Sequence, residues 1–218
     1  MRLPLTQNER TKIVQTFVKN AVAGLALSAL ILVVMSAPVR AQVLAHSGEI
    51  AGTIGYDHTS ITTSTGGSSG NPTSQYFYGG SGGYNVTPYI SVLGEYKFDP
   101  LVAPVRNTFT WHSQLAGAAV RFNFMPTKKV VPYAIVGTGY DRLTATIPGT
   151  YEYSDGYYVN VGGGVSCYLG KHWGVRPEVR YERQHTTYGP ADEILTANVV
   201  DVSGSIFYQF GGTGKRRK

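Results

Sequence analysis

Residues 172–184 (HWGVRPEVRYERQ) carry the pattern that most narrows what this chain can become. Trp173, Val175, Pro177, Val179 and Tyr181 alternate with Gly174, Arg176, Glu178, Arg180 and Glu182. Successive side chains of a β-strand leave opposite faces, so a period of two is a strand's period. One face of this strand is apolar throughout, and the other holds four charges of alternating sign. Such a strand needs apolar surroundings on one side and an enclosed, charge-paired space on the other.

The same alternation recurs along the chain. The expected strands are 48–58, 75–86, 89–98, 113–124, 130–141, 156–169, 172–184 and 199–210. In the last of them Val200, Val202, Gly204, Ile206, Tyr208 and Phe210 share a face, opposite Asp201, Ser203, Ser205, Phe207 and Gln209. In the first, Ile50, Ile54 and Tyr56 oppose Glu49, Thr53 and Asp57. The connections alternate long and short: 59–74, 99–110, 142–155 and 185–198 are long, whereas Thr87-Pro88, 125–129 and Gly170-Lys171 are tight. Gly79–Gly83 lies inside a strand, where glycine permits bending and close approach and makes no phosphate loop.

Eight strands of about this length, with short turns at one end and long loops at the other, describe an all-β, antiparallel, up-and-down transmembrane β-barrel. Strands of roughly 9–11 residues cross the hydrocarbon core at a tilt. Closure is required, because an open sheet edge in lipid would leave backbone groups without partners. The charges on 172–184 cannot face lipid, where Arg or Lys costs roughly 2–4 kcal/mol at the midplane. They point inward and meet charges on the polar faces of other strands. The expected interior network is Glu95, Lys97, Arg121, Asp141, Arg176, Glu178, Arg180 and Glu182. An eight-stranded barrel is just filled by its own side chains, so this network is expected to act as a plug and not as a pore.

The ends of the chain read differently. Residues 1–20 are basic, Ala21–Val34 is an apolar run, and Val39-Arg40-Ala41 is a small-residue cleavage site before Gln42. Together 1–41 read as a cleaved signal peptide, with a retained anchor as the alternative. The barrel is expected over 42–210 and a short basic tail over 211–218. The formal net charge of +6 sits at these ends: five Lys/Arg against Glu9 in 1–41, and Lys215–Lys218 at the other terminus. The remainder is about −2, so the basic pI is no argument for nucleic acid. Cys167 is the only cysteine, so no internal disulfide forms.

Gly52–Tyr56 (GTIGY), Pro132–Tyr140 (PYAIVGTGY), Gly162-Gly163-Gly164, Trp173–Tyr181 (WGVRPEVRY) and the terminal Tyr208 and Phe210 give the chain a resemblance to a known family. It resembles the eight-stranded OmpA/OmpX-like barrels of the outer membrane protein β-barrel domain family, over the whole mature chain. The resemblance implies a place in the cell outer membrane and insertion by the barrel-assembly machinery, which reads a terminal aromatic strand; here that signal is Tyr208 and Phe210. The chain departs from the pattern in continuing past Phe210 with GGTGKRRK.

The functional expectation is a structural or surface-interacting, adhesin-like role through the outer loops, where Tyr151, Tyr153 and Tyr188 stand among Glu152, Asp155, Asp192 and Glu193. Outer-membrane lipid and lipopolysaccharide are the expected surroundings, a surface ligand is a candidate partner, and nucleic acid is not. The alternatives are a small porin-like channel and a lipid A-modifying enzyme. His58, His112 and His185 fall at outer strand ends, but His185 has only threonines beside it, and His58 with Ser60 and Asp57 lies in a loop. No catalytic, cofactor or metal site is assigned, and no cofactor is expected.

Overall fold

In the computed structural model the described residues are 42–63, 73–100, 110–147, 150–188 and 193–212. They form eight strands: β1 (Ser47–Thr63), β2 (Thr73–Asn85), β3 (Ile90–Asp99), β4 (Thr110–Asn123), β5 (Val130–Ile147), β6 (Thr150–Tyr168), β7 (Trp173–Tyr188) and β8 (Glu193–Gly211). Each pairs antiparallel with the next, and β8 returns to β1 from Ser47↔Gly211 to Thr63↔Leu195, closing an eight-stranded barrel. The signal-peptide reading of 1–41 and the basic tail from 213 lie outside the described residues.

The alternation places the side chains inside out relative to a soluble protein. On β8, Ile206 is 68% exposed while its neighbour Phe207 is 1% exposed and faces the lumen. Val200, Val202, Tyr208 and Phe210 share the outer face of β8, whereas Asp201 and Gln209 are buried inside. Valines and isoleucines of the other strands continue this apolar belt, among them Ile50, Val92, Val136, Val161 and Val179. Exposed aromatics border it. Tyr56, Tyr76, Tyr96, Tyr140, Tyr157 and Tyr181 mark one end, and Tyr84, Tyr89, Phe122, Phe124, Trp173, Tyr208 and Phe210 the other. Such paired girdles flank the apolar band of outer-membrane barrels.

The two ends are built differently. At the end holding the turns, Thr87 caps its own turn: its Oγ1 accepts from the backbone N–H of Tyr89 and Ile90 at 3.1 and 3.0 Å. Met125, at a φ of 54°, turns the β4–β5 connection. The segment before β1 folds across this mouth. Val43 N–H donates to the Pro126 carbonyl at 2.9 Å, and its buried side chain packs with Val131, Tyr168 and Phe207.

At the other end the ladders run on well past the belt. The expected long loop 142–155 is instead a hairpin, with β5 and β6 paired out to Ile147↔Thr150. The expected loop 185–198 is likewise mostly strand, paired out to Tyr188↔Glu193. β1 also extends beyond the expected His58, to Thr63. The physical reason is that pairing needs only backbone partners, while the apolar alternation that marks a strand in sequence is imposed by lipid and stops with it. The stretches 64–72 and 101–109, within the other two expected loops, lie outside the described residues.

Candidate functional site: the charged lumen

Lumen-facing positions follow from strand parity, and the barrel brings them into three layers. Nearest the turn-bearing end, Glu49 on β1 receives both guanidinium nitrogens of Arg121 from β4, at 2.9 and 3.0 Å. Arg176 on β7 donates to the same carboxylate at 2.8 Å and to Ser166 Oγ at 3.0 Å. Arg176 also lies over the Phe207 ring, 4.5 Å from its centroid. Below this layer Ser47, Asn85, Ser91, Tyr168 and Gln209 form a hydrogen-bonded floor. All of these side chains are buried.

The middle layer centres on Arg180, which makes a two-pronged pair with Glu95 at 2.7 Å on each prong. Its Nε donates to Glu178 at 2.5 Å, and the Tyr133 hydroxyl donates to the other Glu178 oxygen at 2.6 Å. Two-pronged charged bonds of this kind are among the stronger and more directional in proteins. Inward-facing glycines make the room: a Cβ on Gly164 would collide with the Tyr133 hydroxyl, and one on Gly117 with that of Tyr158.

The outer layer is unlike the other two. Lys97 on β3 donates to both oxygens of Asp201 at 3.2 and 3.1 Å. Asp57, Asp99 and Glu182 stand farther off, at 3.6, 3.8 and 4.0 Å from the ammonium. Among the described residues Asp141 has no cation within ion-pair distance, and it is held by the hydroxyls of Ser113 and Thr186, at 2.8 and 3.1 Å. Three guanidinium groups meet three carboxylates in the two lower layers, whereas in the outer one a single ammonium meets four carboxylates and Asp141 stands beyond its ion-pair distance. A cavity of about 70 Å³ touches all three layers, at Arg121 and Arg176, at Glu95 and Arg180, and at Lys97 and Asp201. It has room for a few water molecules.

All eight residues named from the sequence for the interior face the lumen, and seven of them meet in ion pairs. Asp141 is beside hydroxyls. Sequence reasoning left out Glu49, Asp57, Asp99 and Asp201, although strand parity had already put Glu49, Asp57 and Asp201 on polar faces. Tyr208 and Phe210 point outward at the end of β8.

Among the described residues the rim histidines do not assemble with acids. His58 faces outward and shares a 2.8 Å hydrogen bond with Ser74, while the adjacent Asp57 faces the lumen. His185 lies beside Thr196 and Tyr157. Among the described residues no three His, Cys, Asp or Glu side chains are grouped to hold a metal ion. Beyond the outer girdle, Arg142 and the Tyr140 hydroxyl both donate to Asp155. The Tyr140 hydrogen bond first, then that of Arg142, holds the exposed Asp155 carboxyl below the usual carboxylate range.

The sequence matches the family described as "Outer membrane protein beta-barrel domain" over residues 27–207. No curated protein sequence matches it. Among solved structures, Neisserial surface protein A (NspA) aligns with a TM-score of 0.58 at 16% identity, over 74% of this chain and 97% of that one. OprG from Pseudomonas aeruginosa aligns at 0.49 and 13% identity, over 80% and 100%. Ail, the attachment invasion locus protein of Yersinia pestis, aligns at 0.44 and 13%, over 75% and 99%. The NspA likeness shows a shared fold.

Proposed function

We propose that this chain, which belongs to the outer membrane protein beta-barrel domain family, is a barrel of the outer membrane with a structural or surface-interacting role, exerted by what stands above its outer rim. The observation that carries this reading is the filled lumen. Two layers of matched ion pairs and the Val43 cluster occupy the barrel below the outer layer. An interior of this kind stiffens the wall and leaves little for a solute to pass through. The paired β5–β6 extension carries Tyr153 and Asp155 outward, where a ligand could be met.

The remaining assignments follow from that placement. Membrane lipid covers the apolar belt, lipopolysaccharide surrounds the outer girdle, and the barrel-assembly machinery reads Tyr208 and Phe210. No cofactor takes part. The channel reading is the second choice, favoured only by the lumen cavity. A lipid A-modifying activity has no grouped acid and histidine to rest on among the described residues.

Two measurements on one preparation test the proposal. Outer-membrane fractions run boiled and unboiled on SDS gels are expected to show a heat-dependent shift, because closed barrels resist the detergent until heated. The purified barrel in planar bilayers is expected to give no discrete current steps. Steps that scale with salt would replace this reading with the channel. Protein found soluble and unshifted would overturn the membrane placement itself.

A further inference from the structure

The outer lumen layer holds more negative charge than its own side chains can offset. Asp57, Asp99, Asp141, Glu182 and Asp201 are all buried around the single ammonium of Lys97. That ammonium hydrogen-bonds both oxygens of Asp201 and only stands at ion-pair distance from Asp57, Asp99 and Glu182. Buried charges without partners are costly, and proteins pair them or place a cation beside them.

A second observation locates the deficit. Asp57 Oδ1, Gln75 Oε1 and Asp99 Oδ1 are buried oxygens without a hydrogen-bond donor. Asp57 and Asp99 are 1% and 2% exposed. The three lie on consecutive strands, β1, β2 and β3, with Asp57 and Gln75 directly opposite each other in the ladder. The Gln75 amide N–H already donates to Asp57 Oδ2, at 3.4 Å, and its carbonyl oxygen, like one oxygen of each carboxylate, is left without a donor. Two carboxylate oxygens and an amide carbonyl are the ligand types of a hard cation, with water completing the shell. Of the six buried polar side-chain atoms without a partner among the described residues, these three acceptors fall together in the layer with the excess of charge.

We propose that Asp57, Gln75 and Asp99 form a binding site in the outer lumen for a hard divalent cation such as Ca²⁺ or Mg²⁺. The cation balances the acidic layer that Lys97 alone leaves unbalanced. Glu182 and Asp141, from β7 and β5, add negative charge to the same layer without direct ligation.

The test uses the full barrel folded in a non-ionic detergent, free of lipid phosphate, and stripped with chelator. Ca²⁺ is titrated by calorimetry, and the midpoint of the heat-dependent gel shift is followed with and without the ion. One saturable site and a rise in the midpoint are expected. In the double variant Asp57→Asn, Asp99→Asn, binding is expected to weaken at least about tenfold, equivalent to about 1.4 kcal/mol. That variant is also expected to show a higher cation-free midpoint, because it relieves the repulsion among carboxylates that share the one ammonium of Lys97; a simple failure of folding would lower it. Absence of saturable binding overturns the site. Undiminished binding in the double variant assigns the ion elsewhere and overturns it too. So does a cation-free barrel that acidification stabilises fully while Ca²⁺ adds nothing, since protons then fill the role.

Discussion

Glu49 shows how much one lumen side chain can carry. It is the shared carboxylate of Arg121 and Arg176, and removing it strands two buried guanidinium groups. Breaking a buried charged pair from one side costs about 3–5 kcal/mol. Glu49→Ala is therefore expected to lower unfolding stability by about that much in urea titrations of the barrel in lipid vesicles, read by tryptophan fluorescence. Removing Arg142 at the exposed rim is expected to change little, since exposed ion pairs contribute about 0–1 kcal/mol. The site was partly legible beforehand. Strand parity says that Arg176, Glu178, Arg180 and Glu182 must face inward, because lipid excludes them. It does not say that Arg180 meets Glu95 while Arg176 reaches Glu49, because strand tilt and stagger decide which levels coincide. Asp99 was unreadable for a further reason: it sits at the edge of its alternating stretch, where strand and loop look alike in sequence.

At the scale of elements, the β5–β6 hairpin is the clearest departure from the sequence reading. All eight strands were visible from their alternation, but six of them run several residues farther outward than the apolar pattern does. Beyond the belt the outward face meets water instead of lipid and the inward face is polar, so buried Thr144 and Ser154 and exposed Tyr153 show no apolar period for a reader to find, yet the ladder continues. The β5 arm of the hairpin also pairs with β4 out to Thr110↔Thr146, and both arms lie beyond the charged layers. Replacing 144–153 by a two-residue turn is expected to keep the heat-dependent gel shift and its midpoint. A lost shift would mean that the extension takes part in closure. The Asp155 contacts in this hairpin have a defined pH sense. Their contribution is present above the unfolded carboxylate value of about 3.9 and fades as pH falls through the lower folded value. The hydrogen-exchange protection factors of the hairpin, taken relative to the unfolded chain at each pH, are therefore expected to be the same at neutral and at mildly acidic pH.

For the whole molecule, the seal at the turn-bearing mouth and the charged layers above it act in series. Val43 contributes on the order of 1.5–3 kcal/mol by burial of one apolar side chain. Deleting 42–45 is expected to cost stability of that order and still leave bilayers without current steps, because the Glu49 layer remains across the lumen. Steps appearing on deletion would show that Val43 alone holds the passage shut. The outer rim has one more property. β5 and β6 span 18 and 19 residues, whereas β3 spans only 10, so the described wall is tall on one flank and low on another. A barrel turning freely about the membrane normal therefore has a bearing as well as a depth. A partner that grips the tall flank stops that rotation, and two barrels gripped by one bivalent partner come to rest at a defined azimuth to each other.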